Sequence, residues 1–360
     1  MLCWKLLKIF LVVIKQDNTM DLYLFPQSAT NMCGYRIGVK YAFNRLQPTK
    51  DDLVIWYTND KIDPNRRKDD VVIPRLGMSS IKQMKNILLN HPRTEVNLSD
   101  LSFLKGKHFD HIHCDDVLFY RSIRSLFPSQ KIDLRFHNCF TRILDRKRIL
   151  GVSLNLRFEF SLMEYKQLER EIFRDKNVYK IFISNEDRDY YTMMTGQNDC
   201  CTWTYQLNEE KAKANRSEFT FENKLVWFGG VESHKFISVR WFVNEVFAKL
   251  RLIIPDIEFH LWGSGTEQFN DEGKGIFGHG VYESSDMPLK GKALYVNPDI
   301  IGGGVKLKIQ SYYENGIPFI TTPFGYEGYS KDIIDNKYCS VISMSDWVDK
   351  IISLLKVDRE

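Results

Sequence analysis

From Met20 onward, short apolar runs alternate with longer stretches whose apolar residues recur every three or four positions. In the first half the runs predict strands at Leu22–Phe25, Leu53–Tyr57, Val71–Ile73, Phe109–His113, Ile132–His137 and Tyr179–Ser184. In the second half they predict strands at Leu225–Gly229, Ile257–Trp262, Ala293–Val296 and Phe319–Thr322. Between them the pattern predicts an amphipathic helix over Phe158–Phe173, a helix from Val305 to Glu314 and a short last helix near Trp347–Leu355. Strand–helix alternation of this kind predicts α/β architecture with parallel sheets. A polar stretch rich in Glu, Lys and Asn, Asn208 to Asn223, separates the two sets of strands. The expected organisation is a domain over residues 20–207, a linker over 208–222 and a domain over 223–360. Each domain is expected to be Rossmann-like and doubly wound, the two facing a cleft with ligands at the carboxyl ends of the strands.

Residues 1–19 stand apart, an apolar run with Lys5, Lys8 and Lys15 around it. The run is too short to span a bilayer and no small-residue cleavage site follows it. The reading is an N-terminal extension before a natural start at Met20, with a membrane-surface helix as the alternative. At 360 residues the chain is too long for one ordinary core. Its 43% hydrophobic and 27% charged residues are ordinary for a globular protein, and a net charge of +4 argues against a dedicated nucleic-acid binder. Seven scattered cysteines, without a CxxC or Cys/His spacing, read as reduced thiols of a cytoplasmic protein rather than a disulfide framework or a zinc site.

The densest chemistry lies between Ala293 and Gly328, a strand, the glycine turn Gly302–Gly304, a helix and a second strand. Free N–H groups and the positive end of the helix dipole, beside Lys306 and Lys308, suit a diphosphate. The turn is neither a GxGxxG fingerprint nor a P-loop, and such turns also serve packing alone.

The second half resembles the nucleotide-sugar domain of GT-B glycosyltransferases, in particular the large retaining family that builds bacterial polysaccharides such as O-antigen and capsule. The resemblance is carried by ValTrpPheGlyGly (226–230), ValArgTrpPheVal (239–243), PheHisLeuTrpGlySerGly (259–265), GlyHisGlyValTyr (278–282) and the glycine-rich block through ThrProPheGlyTyrGluGly (322–328). The first half is similar to the acceptor domain through Gly34, ArgPheHisAsn (135–138) and IlePheIleSerAsnGluAsp (181–187).

The resemblance implies a role for each matched residue. Gly303, Gly304 and Val305 with Lys306 and Lys308 would hold the donor diphosphate, and Lys235, after Gly229 and Gly230, would reach the same phosphates. Val281 and Tyr282 would meet the nucleotide base. His137 would contact the transferred sugar, and Gly34 would close toward the donor phosphates. His137 and Lys306 are the expected catalytic pair, with a UDP- or GDP-linked sugar as substrate and neither cofactor nor metal. Two glutamates that many relatives carry eight positions apart fall on Gly303 and Ser311, and Gly230 stands where many have arginine. Glu314, one turn further on, is a possible substitute or simply a solvent-facing carboxylate.

Two other clusters have competing readings. His111 and His113 share a strand face and, with Asp115 and Asp116, invite a metal reading, but no third imidazole or clear third ligand follows. Asp115–Asp116 is expected to cap a helix starting at Val117. Arg142, Arg146, Lys147 and Arg148 lie among apolar residues. That segment fits either docking on anionic lipid, where a lipid-linked glycan acceptor would wait, or a solvated helix face. The expected function is transfer of a sugar from a nucleotide donor to a lipid-linked glycan, at a cytoplasmic site peripheral to the inner membrane. The alternatives are another GT-B enzyme acting on sugar nucleotides, such as an epimerase or a phosphorylase, and a non-catalytic GT-B-like partner protein.

Overall fold

The computed structural model describes residues 20–26, 34–58, 67, 69–74, 91–92, 95–153, 156–216, 219–231, 234–282, 286–331, 334 and 338–357. The N-terminal run read as an extension lies outside them. The chain divides into two compact units. The first comprises Met1–Asn138, Met163–Phe182 and Tyr191–Thr202, and the second Cys139–Leu162, Ile183–Tyr190 and Trp203–Glu360.

In the first unit the described strands are β1 (Leu22–Phe25), β2 (Leu53–Tyr57), β3 (Val71–Ile73), β4 (Ile112–Cys114), β5 (Ile132–Phe136), β6 (Val178–Phe182) and β7 (Cys200–Thr202). They form one sheet in the order β3-β2-β1-β4-β5-β6-β7, every pairing parallel. Leu22, Leu24 and Phe25 of β1 are fully buried, as a central strand covered on both faces requires. The expected strand Phe109–His113 begins later, at Ile112, and ends at Cys114. Asp116 caps the turn at Val117 by accepting from the Leu118 amide at 2.8 Å. Asp115, expected to share that role, is instead turned to Arg135 at 2.7 Å. His113 stacks on Tyr23 and lies 3.2 Å from Asp133, while His111 sits 6.3 Å away, ring to ring.

In the second unit the described strands are β8 (Lys224–Phe228), β9 (Glu258–Trp262), β10 (Ile276–Gly278), β11 (Leu294–Asn297), β12 (Phe319–Thr321) and β13 (Cys339–Val341). Their order is β10-β9-β8-β11-β12-β13, again all parallel. The stretch Asn208 to Asn223 carries a helix, Glu209–Asn215, which starts at an Asn208 cap bonded to the Lys211 amide. Alternate residues of β8 and β9, Leu225, Trp227, Phe259 and Leu261, bury one face against Val239, Phe242, Val246, Phe247 and Leu250. Those residues lie on a helix that runs α over His234–Trp241, π over Phe242–Phe247 and α over Ala248–Ile253. The wider π turn brings the adjacent residues Val246 and Phe247 both into the core.

The last helix, Trp347–Val357, closes this core. Trp347 is fully buried, edge-on to Trp241 and Phe242 with ring centroids at 6.1 and 5.4 Å. A smaller cluster joins Ile143 and Leu144 of the helix Phe140–Leu150, and Leu162 of the helix Leu156–Arg174, to Ile300 and Ile301 before the glycine turn. No helix of the described residues is long and apolar enough to cross a membrane. Trp347→Ala should lower the unfolding free energy by about 3–5 kcal/mol, the usual cost of emptying an aromatic core site, read as a lower midpoint in urea.

Candidate functional site

In the second unit the turns that follow β8, β9 and β10 are laced by backbone bonds. The Gly229 amide donates to Trp262 O at 2.8 Å, Val231 to Ser264 O at 2.7 Å and Gly263 to Gly280 O at 2.6 Å. The approach is close enough that side chains are excluded. A Cβ on Gly263, whose φ is 133°, would lie 2.1 Å from the carbonyl oxygen of Gly229. Gly230 faces Ser264 with ordinary clearance. The result is a glycine-lined edge at the carboxyl ends of the strands, where ligands bind in sheets of this type.

Val281 and Tyr282 are brought to this edge. The Tyr282 ring meets Phe228 at 5.9 Å and Trp262 at 6.1 Å, edge to face in both cases, while Val281 is exposed. Below Trp262 lie His279, His260 and Phe277 in near-parallel stacks. The His260 Nδ1 is 2.9 Å from His279 Nε2, and its Nε2 is 2.9 Å from Glu258.

The glycine turn departs from its expected form. The helix starts at Leu307 rather than Val305, so Lys306 is its cap residue and gives no side-chain cap bond. Gly302 and Gly304 have φ of 144° and 58°, conformations that favour glycine. A Cβ on Gly302 would also press within 3.0 Å of the His234 imidazole. Gly303 and the half-buried Val305 complete the turn.

The two lysines of this turn diverge. Lys308 Nζ lies 3.3 Å from Asp299, 4.5 Å above the Trp227 ring and 3.7 Å from the point where a Gly229 Cβ would sit. Lys306 Nζ instead donates to Gly304 O at 3.0 Å, lies 3.7 Å over the Phe324 ring and is 4.0 Å from Glu327. Lys235 is half-buried on the first turn of the helix His234–Trp241.

One carboxylate gathers these charges. Asp299 is buried, which alone would raise its pKa, yet Lys308, Lys306, Lys235 and His234 together hold it below the usual carboxylate range. Burial draws the Lys308 pKa down to about 8 against the pull of Asp299, and burial likewise lowers that of Lys306. His234 falls to about 4, mainly through burial, with the three lysines adding to the effect, and is neutral at pH 7.

Sequence reasoning named the lysines and glycines of this edge but not Asp299 or His234. Asp299 stands three residues before the turn with no motif to mark it, and His234 is adjacent to Lys235. It also missed a buried ionic group in the same unit. Arg142 donates to both oxygens of Glu327, at 2.7 and 2.9 Å, and to Asp187 at 3.0 Å. Arg146 donates to Ile300 O at 2.6 Å and covers Phe324 at 3.9 Å. Lys147 pairs with Glu159 at 2.5 Å, so of the basic segment expected to face lipid only Arg148 is mostly exposed. The docking expectation is corrected on that ground, because two of its arginines are turned inward.

Glu314 is neither solvent-facing nor directed to the glycine edge. It accepts from Lys211 at 3.0 Å, from Gln310 at 2.8 Å and from the Asn208 amide at 3.4 Å, clasping the helix Glu209–Asn215. Ser311, at the second missing glutamate, donates to the Met287 sulfur at 3.7 Å.

His137 and Gly34 belong to the first unit. His137 follows β5, almost fully buried, with Nε2 2.7 Å from Asp115 O and 3.4 Å from the Asp115 carboxylate. That carboxylate also receives Arg135 at 2.7 Å, and Arg135 donates to Gly38 O at 3.0 Å. Gly38 belongs to the helix Gly34–Leu46, which Gly34 opens. Arg135 thus ties β5 to that helix, and Asp115, just after β4, holds both Arg135 and His137.

No family model matches the chain, and no curated protein does. Solved structures do. Sucrose-phosphate synthase from Thermosynechococcus elongatus aligns with a TM-score of 0.62 at 13% identity, over 95% of this chain and 90% of that one. WaaG, a glycosyltransferase involved in lipopolysaccharide biosynthesis, aligns with a TM-score of 0.57 at 10% identity, over 93% and 90%. HepE from Anabaena, solved in complex with UDP and glucose, aligns with a TM-score of 0.52 at 11% identity, over 94% and 90%. With its two parallel-sheet units and these matches along nearly the whole chain, the protein has the GT-B fold.

Proposed function

We propose that this chain is a glycosyltransferase that passes a sugar from a nucleotide-diphosphate donor to a hydroxyl of a glycan acceptor, with retention of configuration. The observation that carries the reading is the Lys308 ammonium, 3.3 Å from Asp299 and beside Gly229 at the carboxyl edge of the second sheet, with Lys306 and Lys235 adding positive charge around the same turn. Positive charge exceeds negative there even with His234 neutral, because Glu327 already holds Arg142. HepE, solved with UDP and glucose, and WaaG, a glycosyltransferase by its description, share the fold and support the same reading.

The chemistry follows from charge. Breaking the sugar–diphosphate bond builds negative charge on the leaving phosphate while the sugar becomes oxocarbenium-like. Lysines fixed before the reaction stabilise that charge where it develops and pay little reorganisation. In this reading Lys308, with Lys235, faces the diphosphate across Gly229 and Gly230, and the N–H groups opening the helix Leu307–Glu314 add partial positive charge. Tyr282 and Val281 border the base. His137, held by the Asp115 carbonyl and carboxylate, contacts the transferred sugar. The glycan acceptor is kept without the membrane contact, because the basic segment that suggested it is largely consumed within the fold.

Gly303 and Ser311 in place of two glutamates give weight to a second reading, a non-catalytic GT-B-like partner. Calorimetric titration with UDP and with GDP separates the two. Binding of one nucleotide, weakened at least about tenfold by Lys308→Ala, is expected, and binding of neither overturns the transferase reading.

The pH dependence has a definite sign. Phosphate binding needs the protonated ammonium, so affinity should hold below about pH 8 and fall as the pH rises through that value, where Lys308 loses its proton. A lysine of ordinary pKa would hold its charge to about pH 10. His137→Ala should lower transfer rate more than nucleotide affinity, and an equal loss in both would make its role structural.

A further inference from the structure

We propose that Arg142 and Glu327 are positioning residues of the donor site: by occupying both oxygens of Glu327, Arg142 keeps the Lys306 ammonium free to exchange its partners for a donor phosphate. The proposal rests on the transferase reading above. All four charged groups involved, Arg142, Asp187, Glu327 and Lys306, belong to the second unit.

The geometry of the group is unequal. Arg142 meets Glu327 with two parallel bonds, Nη2 to Oε1 at 2.7 Å and Nη1 to Oε2 at 2.9 Å. This two-pronged pairing is the strongest a carboxylate makes with a side chain. Lys306 comes no nearer to Glu327 than 4.0 Å, beyond hydrogen-bond length. Its ammonium rests instead on a carbonyl, Gly304 O, and on the face of Phe324. Both are weaker partners than a carboxylate at contact distance.

A buried ammonium beside a buried carboxylate would ordinarily close to contact, because an uncompensated charge is costly there. Here both oxygens of the carboxylate are already engaged, and Oε2, the one 4.0 Å from Lys306, accepts from Arg142 at 2.9 Å. Its surroundings are pinned as well: the Gly328 amide donates to Glu186 at 3.1 Å, and Arg146 covers the Phe324 ring from another position at 3.9 Å. The Lys306 backbone is equally fixed, its carbonyl receiving the Tyr329 hydroxyl at 3.2 Å and the Ile309 amide at 2.9 Å. Only the Lys306 side chain has partners it can give up cheaply, and it stands next to the glycine turn.

An arriving diphosphate therefore takes Lys306 from a carbonyl and a ring, and Glu327 remains satisfied by Arg142. Without Arg142, Glu327 would turn to Lys306 and form a contact ion pair that the donor must break.

The test is calorimetric titration with UDP and GDP of the full chain and of R142M, E327Q and the double variant R142M/E327Q, each checked for folding by circular dichroism. R142M should weaken nucleotide binding by about tenfold, E327Q should bind at least as tightly as the wild type, and the double variant should return to within about threefold of it. A merely structural arginine would not be rescued by a second substitution. If the wild type binds but R142M is unchanged, or the double variant binds no better than R142M, this proposal is overturned alone. If R142M does not fold, E327Q decides, since a weakening there overturns the proposal. Absence of binding by the wild type to either nucleotide overturns the transferase reading and this one with it.

Discussion

Burying ammonium groups side by side is possible only if something opposes their charge, and at the glycine-rich edge that is Asp299. Three lysines and a histidine act on this one buried carboxylate. Each desolvated cation would otherwise shed its proton or force the site open to water. The compromise is partial, with burial drawing Lys308 down to about 8, still charged at neutral pH, and leaving His234 neutral. The edge keeps an excess of positive charge without the self-repulsion that would prevent it from folding.

The same turn uses its two lysines in different ways. Lys308 points back over Trp227 to Asp299 and the glycines after β8, whereas Lys306 points to Phe324 and Glu327. A separation of two residues on a regular helix would place them about 200° apart around the axis. Here Lys306 lies outside the helix, as its cap, and the backbone break sends its side chain to a separate ionic group. One short stretch of chain thereby joins the glycine-rich edge to the arginine on the helix Phe140–Leu150.

Much of this was legible from residue pattern. Central strands such as Leu22–Phe25 and Leu53–Tyr57 are continuous apolar runs, because both faces of a parallel sheet are covered. The strands Cys200–Thr202, Ile276–Gly278 and Cys339–Val341 escaped notice because three residues show no period and, unlike the equally short Val71–Ile73, they are not unbroken runs of β-branched residues. The polar stretch around Glu209–Asn215 looked like a linker because hydrophilicity marks exposed helices as well as loops, and its packing against Glu314 is a tertiary contact. The glycines and lysines of the site carried local signals. Asp299 and the Arg142–Glu327 pair did not, since their meaning lies in partners far along the chain. Glu327 sat within a segment already singled out, ThrProPheGlyTyrGluGly, yet nothing local showed that Arg142 would meet it.

The second unit is assembled from three separate stretches of chain, Cys139–Leu162, Ile183–Tyr190 and Trp203 onward. During synthesis, Ile143, Leu144 and Leu162 emerge long before Ile300 and Ile301, the residues they pack against. That apolar surface must wait for its partners. A fragment ending near residue 207 would therefore not be a self-contained half of the molecule. It would carry an Arg142 that has Asp187 but lacks Glu327, and the uncovered side of a core that belongs to the rest. Nascent chains stalled in this interval are where a chaperone would be needed, and a gene split between the two sheets would separate residues that fold as one body.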